Sequence, residues 1–315
     1  MATSNNIGFS VSRDDIIIEA LEQLGVLGEA ETPTEDQVQT CSRTLNMMVK
    51  NWSARGLNLF AVQKTFLFPE KDKRDYTLNI TSPSRYVTGF TSSNTTAAAS
   101  SGTDLITLTS AVDFAVGDTV LIPRSNNYVQ ETTVLSKPTS SQIQLADVLE
   151  DNLDNDVTVI AYSQAQKANR PMDILEAYTV SGPNIDIPVE RVSRREYNTL
   201  SNKQSKGIIN QIYYDPQIDS SVVSVWPTTD NETNYIRLLV QRTLSDFSEG
   251  QDTPDFPQEW YLPISLNLAV LCGPKYGVPI NRLAQIKAMA DEAYEAASEF
   301  DTELQTSVFF QPSDR

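Results

Sequence analysis

The chain has 315 residues, 41 acidic against 24 basic side chains, a formal net charge of −17, and a globular composition of 40% apolar and 21% charged residues. It contains no histidine, which excludes a histidine general base, a Ser-His-Asp or Cys-His pair and imidazole ligation of zinc. The acidic balance opposes binding to nucleic-acid phosphate or an anionic membrane, while leaving open a passage that repels DNA.

Helical periodicity belongs to the two ends. Ser12 is placed to cap a first helix with Asp15 three residues on, and Ile17, Leu21 and Leu24 form its apolar face before a stop at residues 25–28. Beyond Pro33 and an acidic first turn of Glu35 and Asp36, a second helix carries Val38, Cys41, Leu45, Met48 and Trp52 at helical spacing until Gly56.

From residue 61 to about 248 the period becomes two, with strands predicted at 65–68, 76–80, 105–108, 119–122, 130–135, 143–145 and 157–162. A later set is predicted at 177–180, 185–189, 209–214, 222–226 and 235–241. The small polar run TSSNTTAAASSGT (91–103) reads as a linker or long loop into a small barrel or sandwich, which has turns at 116–119 and 137–140 and exits near 163–170.

Helical pattern returns after Pro257. Trp260, Ile264, Leu268 and Leu271 mark one helix, Gly273-Pro274 breaks it, and Asn281 caps a long helix with Leu283, Ile286, Ala290, Tyr294, Ala297 and Leu304 inward. Neither terminal pair of helices has enough apolar partner alone. The expected fold is therefore α+β: a helical bundle from the N- and C-terminal helices (1–62 plus 254–305) with an inserted all-β region of β-sandwich or small-barrel subdomains. That region divides into a β domain (63–91 plus 164–253) and a barrel-like subdomain (92–163), and a tail follows at 306–315.

Cys41 and Cys272 are too few and too far apart in sequence for a disulfide scaffold; both sit in apolar helical patterns and are expected as buried reduced thiols, in keeping with synthesis in a host cytoplasm. No positive segment precedes an apolar core at the N-terminus and no apolar run reaches a membrane-spanning length, so a soluble chain is expected.

The segments DDIIIEALEQLGVL (14–27) and TLNMMVKNWSARGLNLF (44–60) place a helix ending at Leu-Gly before one that carries Leu-Asn, a Met pair and Trp ahead of Gly. Downstream follow PMDILEAY (171–178), RREYNTLSNKQSKG (194–207), YYDP (213–216), VWP (225–227), DFPQEWYLP (255–263) and LNLAVLCGPKYGVP (266–279). In this succession the chain resembles the head-to-tail adaptor proteins of short-tailed double-stranded DNA phages, the packaged-DNA-stabilisation or tail-accessory-factor family, over most of its length apart from 92–163. The resemblance implies a non-enzymatic virion protein at the head–tail junction, a dodecameric ring beneath the portal that extends the DNA channel and helps retain packaged DNA. The partners it implies are the portal protein, a tail nozzle or tail-tube protein, tail fibres and copies of the chain itself. DNA passes without specific binding, and neither a cofactor nor a membrane is involved. Whether the β region decorates the outside of the ring or holds fibres is left open.

Within the last helix, Asp291, Glu292, Glu295 and Glu299, with Asp301 and Glu303 beyond them, face only Arg282 and Lys287 in opposition. Most of these acids lie in the C-terminal half, where the helix dipole disfavours them, so they are candidate channel-lining groups, with a solvated face as the plainer reading. Arg191, Arg194, Arg195, Lys203 and Lys206 form an opposite island, a candidate patch for a neighbouring subunit, an acidic partner or DNA phosphate, or simply a solvated loop. In the tail, Val308, Phe309, Phe310 and Pro312 suggest a peptide that docks on the portal or a neighbouring subunit; the alternative is a frayed or folded-back end. Glu150, Asp151, Asp154 and Asp156 lack the glycine and terminal glutamate of a calcium loop and read as a solvated turn. Trp52, Trp226 and Trp260 could stack on sugar or base but sit in apolar patterns that favour the core. The rival reading is a tail-fibre or receptor-binding protein with carbohydrate-binding or hydrolase activity, although no acid pair is singled out by spacing for glycoside hydrolysis.

Overall fold

A computed structural model describes residues 8–28, 30–54, 59–81, 85–124, 127–182 and 185–300. The protein is mixed α+β, and its chain divides into two compact units, one of residues 1–62 with 244–315 and the other of residues 63–243.

In the first unit, α1 (Arg13–Leu24) begins at a reciprocal capping box between Ser12 and Asp15 and ends at Gly25, whose φ of 64° is the left-handed turn that releases the chain. A side chain on Gly25 would also strike the guanidinium of Arg282, which donates to the Gln23 carbonyl and so places a cation at the negative end of α1. A second capping box, Thr34 with Gln37, opens α2 (Glu35–Ser53), which ends at Ala54; Gly56, the expected stop, lies outside the described residues.

Two further helices of this unit, Tyr261–Cys272 and Ile280–Phe300, are separated by a 3-10 turn at Gly273–Tyr276, where the Gly-Pro break was expected. The longer of them starts one residue before Asn281, and Leu283 N–H bonds the Pro279 carbonyl, so Asn281 lies inside the helix instead of capping it. Leu271 is 47% exposed and Cys272 is buried in its place, because the helix presents position 272 to α2. Leu304 lies outside the described residues.

Both ends of the chain contribute to one apolar core. Ile17, Leu21 and Leu24 from the first helix, Cys41, Leu45, Met48 and Trp52 from the second, Ile264 and Leu268 from the third, and Ile286, Ala290 and Ala297 from the last share it. Leu244 and Phe247, which precede the C-terminal helices, join them. At one end of this core, Trp52, Phe60, Phe256, Trp260 and Tyr294 form a ring cluster with centroid separations between 5.1 and 6.5 Å, at tilted and edge-on angles. Trp52 and Trp260 are core residues, as expected. Trp226, in the other unit, is only half-buried and donates its indole N–H to the Asn202 carbonyl.

The second unit opens with β1 (Val62–Leu67), β2 (Asp75–Leu78), β3 (Tyr86–Val87), β4 (Thr91–Asn94) and β5 (Leu105–Thr107). Next come β6 (Thr119–Pro123), β7 (Val129–Thr139), β8 (Gln142–Leu145) and β9 (Thr158–Tyr162). The set β10 (Asp173–Val180), β11 (Asp186–Pro188) and β12 (Glu190–Arg191) leads to a short helix, α3 (Arg194–Thr199), and then to β13 (Gln211–Pro216), β14 (Ser221–Trp226) and β15 (Tyr235–Gln241). Following chain order, the helices Tyr261–Cys272 and Ile280–Phe300 are α4 and α5.

Three sheets result, ordered β11-β10-β15-β1-β3, β12-β13-β14-β2 and β4-β9-β6-β7-β8-β5. The first two fill a common core with Leu67, Tyr86, Ile236 and Leu238 on one side and Tyr76, Ile212, Val223 and Val225 on the other. The third has its own core of Ile106, Leu108, Phe114, Val120, Ile122, Ile143, Leu145 and Val159. Its two outer strands are joined where Thr96 N–H bonds the Thr107 carbonyl at 3.0 Å and Thr109 N–H bonds the Asn94 carbonyl at 2.8 Å.

Three local expectations fail here for identifiable reasons. Residues 91–94 are β4, paired in register with β9, and Ala99 bridges Leu153, so the small polar run is built into the sheet. Backbone pairing needs no apolar side chain, and Thr95 buries its hydroxyl on the Asp154 carbonyl. Lys137 and Pro138 continue β7, whose pairing with β8 shifts register around them; the chain turns after Thr139. Helix is not confined to the ends, because Ser193 and Glu196 form a capping box that starts α3 inside the β region.

Replacing Leu21, which has no solvent exposure, with alanine is expected to cost about 3 kcal/mol of stability. Ser12→Ala, which removes one half of a capping box, is expected to cost about 1 kcal/mol. Urea unfolding monitored through the tryptophan fluorescence of the first unit reads both.

Candidate functional site

The acids of α5 project from the side of the helix opposite its buried residues. Asp291, Glu295 and Glu299 follow one another at four-residue intervals with Glu292 beside them, and all four are exposed, whereas Ile286, Ala290 and Ala297 are buried. Residues four apart on a helix stack on one face, so these carboxylates form a continuous acidic stripe. Lys287 pairs with Asp291. Among the described residues, Glu292, Glu295 and Glu299 have no cationic partner within ion-pair distance. The folded chain thus leaves like charges adjacent at the C-terminal end of a helix dipole, which disfavours them locally. Asp301 and Glu303, together with Val308, Phe309, Phe310 and Pro312, lie outside the described residues.

The basic island belongs to the β unit and is largely occupied by its own acids. Arg191 bonds Asp173 at 2.8 Å and the Ile174 carbonyl at 2.9 Å, Arg194 reaches Asp215 at 3.3 Å, and Lys206 reaches Asp72 at 2.6 Å. Asp72 holds the Lys206 ammonium above the usual lysine range. Lys203 lies 5.1 Å above the Tyr197 ring, which stacks on Tyr213. Arg195 is exposed on α3.

Only two of these five cations meet in one place. Lys203 and Lys206 line a cleft of about 640 Å³ together with Lys73, Arg74, Asp72, Asp75, Gln204 and Thr228. Lys73 and Arg74 were not marked by the sequence pattern. They arrive because the alternating charges before β2 are brought beside the loop that follows α3 when β2 pairs with β14. Burial pushes the Asp75 carboxyl upward, but hydrogen bonds from Arg74 and Ser224 prevail and hold it below its ordinary value.

A second cleft, also about 640 Å³, lies within the β unit and has an apolar, aromatic lining that includes Phe68, Phe90, Leu121, Ile160 and Tyr235. Phe66, Phe68, Phe90 and Tyr235 meet here with centroids 4.9 to 5.9 Å apart. Among the described lining residues one carboxylate is present, Glu232, and its oxygens are taken up by the structure: it accepts Lys71 N–H at 2.7 Å and Val129 N–H at 2.9 Å. Arg85 stands 3.4 Å from it and bonds Glu131 at 2.8 Å. Burial works against the Arg85 charge, but the hydrogen bond and charge of Glu131 outweigh it and raise the pKa. This buried pair fastens the loop after β1, the start of β7 and the turn before β15 to one another.

The run 150–156 is engaged locally. Glu150 pairs with Arg124 at 2.6 Å, and Asp156 accepts the Asn94 side-chain amide at 2.8 Å. Among the described residues, no group of three or more cysteine or acidic side chains converges as a metal site, and no helix is long and apolar enough to cross a membrane. No protein-family model matches the chain, and a search of curated proteins returns no significant match.

Glu232→Ala leaves the Lys71 and Val129 N–H groups without their acceptor and the buried Arg85 guanidinium with Glu131 alone, and is expected to cost about 3 kcal/mol. Glu232→Gln keeps one acceptor oxygen and should cost less; chemical denaturation of the two variants separates charge from hydrogen bonding.

Proposed function

We propose that the chain is a structural virion protein, a head-to-tail adaptor that assembles as a ring, dodecameric by the resemblance, between the portal and the tail of a short-tailed double-stranded DNA phage. The observation that carries this reading is the acidic stripe of α5, which is maintained against local electrostatic preference on a helix whose other face is locked into the core. Carboxylates facing a channel repel phosphate and let DNA slide without adhering. The ordered succession of sequence motifs supports the same reading, as does the core shared by the two chain ends, which we interpret as the helical bundle of an adaptor with β-sandwich and small-barrel subdomains inserted. Contacts between unlike faces of neighbouring copies would close such a ring. In this role the protein is made in the host cytoplasm and works at the head–tail junction, with the portal and a nozzle or tail-tube protein as neighbours, fibres as further partners, and no catalysis.

The aromatic cleft favours a second reading, a receptor-binding tail protein that holds carbohydrate, since ring faces flanked by Ser92, Asn94, Thr158 and Thr233 suit a sugar. The engagement of Glu232 argues against hydrolysis there, because glycoside cleavage uses two carboxyl groups flanking the bond.

Electron microscopy of the purified protein, alone and with its portal, is expected to show rings on the portal vertex. A monomer that neither forms a ring nor binds the portal would refute the adaptor reading, and binding to a glycan array would favour the second. Replacing both Glu295 and Glu299 with lysine is expected to raise stability by a few tenths of a kcal/mol through one new i,i+4 pair, between position 295 and Asp291, and through the helix dipole. It should impair DNA retention or ejection; unchanged behaviour in virions would mark the stripe as a merely solvated face.

A further inference from the structure

We propose that Cys41 and Cys272 form a redox pair, a modification site whose reagent is a small peroxide and whose product is a disulfide joining α2 to α4. This inference stands independently of the adaptor reading.

The two thiols are fully buried and their sulfurs are 3.5 Å apart. A disulfide places sulfurs about 2.05 Å apart, so closure needs a movement well under the width of a side chain. Cys272 is the last residue of α4, immediately before the Gly-Pro turn. Neither thiol belongs to the acidic stripe, the basic cleft or the aromatic cleft.

The surroundings make the two sulfurs unequal. Cys272 donates its S–H to Cys41, the Tyr276 hydroxyl lies 3.7 Å from the Cys41 sulfur, and Lys275, on the same turn, is held by the Thr44 hydroxyl. The hydrogen bond from Cys272, helped by Tyr276 and the charge of Lys275, prevails over burial and holds the Cys41 thiol below its ordinary value. Its partner is pushed up, first by that hydrogen bond and then by burial. Cys41 is thus the attacking thiolate and Cys272 the resolving thiol.

In the first step the Cys41 thiolate, whose proton has passed to solvent, attacks one oxygen of hydrogen peroxide. The S–O bond forms, the O–O bond breaks, and hydroxide leaves. That hydroxide takes the Cys272 proton to become water. The Cys272 thiolate then attacks the Cys41 sulfenic sulfur, the S–S bond forms, and a second hydroxide leaves to recover the first proton as water. Two thiols and one peroxide give one disulfide and two waters; the sulfurs lose two electrons and the peroxide gains them. Full burial of both sulfurs, beside a half-buried Tyr276, selects a small uncharged oxidant over a bulky disulfide.

The cross-linked positions are 231 residues apart, so the bond would tie the N-terminal helices to the C-terminal ones around the whole β region. Oxidation of the folded full-length protein with hydrogen peroxide, followed by denaturation, alkylation and mass spectrometry, tests this. The expected product is a monomer that has lost two hydrogens, takes up no alkylating agent, yields a joined Cys41–Cys272 peptide, and unfolds about 5 °C or more higher than the reduced protein. Cys272→Ser should stop at a Cys41 sulfenic acid that dimedone traps when it is present as the protein is denatured, while Cys41→Ser should leave Cys272 reduced. Full alkylation of the peroxide-treated wild type, or sulfinic and sulfonic acids on both cysteines without a cross-link, would overturn the proposal. Equal oxidation of Cys272 in Cys41→Ser would overturn the assignment of attacker and resolver.

Discussion

The apolar contact between the two ends of the chain is the constraint on which the rest depends. The first two helices expose a face that they cannot cover alone, and the last two supply its cover, with Trp52 and Trp260 among the rings that meet where α2, α4 and α5 converge. Such a core forms only when segments separated by residues 63–243 come together. The entropy of closing so long a loop rises only with the logarithm of its length, so a large β unit can stand between the two halves of the core at modest extra cost. The β unit, with cores of its own, shortens the effective loop once it has folded.

Charge is apportioned differently in the two units. In the β unit most of the notable cations are matched at close range: Arg85 by Glu131 and Glu232, Arg191 by Asp173, Lys206 by Asp72. On α5 the reverse holds, and the acids outnumber the single lysine that meets them. A net charge of −17 is therefore not spread evenly. Exposed pairs of this kind add little stability, so the matching in the β unit matters more for lowering its field than for holding it together, with the buried Arg85–Glu232 contact as the exception.

Local chemistry was legible in the sequence wherever a short-range rule sufficed. The capping box at Ser12, the acidic first turn of the second helix, the Gly-Pro break after Cys272 and the span of β15 all follow from neighbours within a few residues. What escaped depends on partners far away in sequence. The small polar run 91–94 becomes a strand only because β9 offers it a backbone edge, and Pro138 is tolerated where the pairing with β8 is already irregular. Lys73 and Arg74 join Lys203 and Lys206 only through the pairing of β2 with β14. Likewise, two cysteines that look unrelated in sequence stand in contact because two helices from opposite ends share a core.

The meeting of Asn94 and Thr96 with Thr107 and Thr109 bears on how copies of this protein coexist in concentrated solution. Unsatisfied strand edges are templates on which identical chains add to one another and aggregate. Here the largest sheet turns its outer strands toward each other. The outermost strands of the other two sheets are two to four residues long, and two of them carry Pro188 or the adjacent Glu190 and Arg191. Backbone-templated polymerisation is thereby discouraged. Association among copies is left to side chains, whose shape and charge can fix a finite number of neighbours.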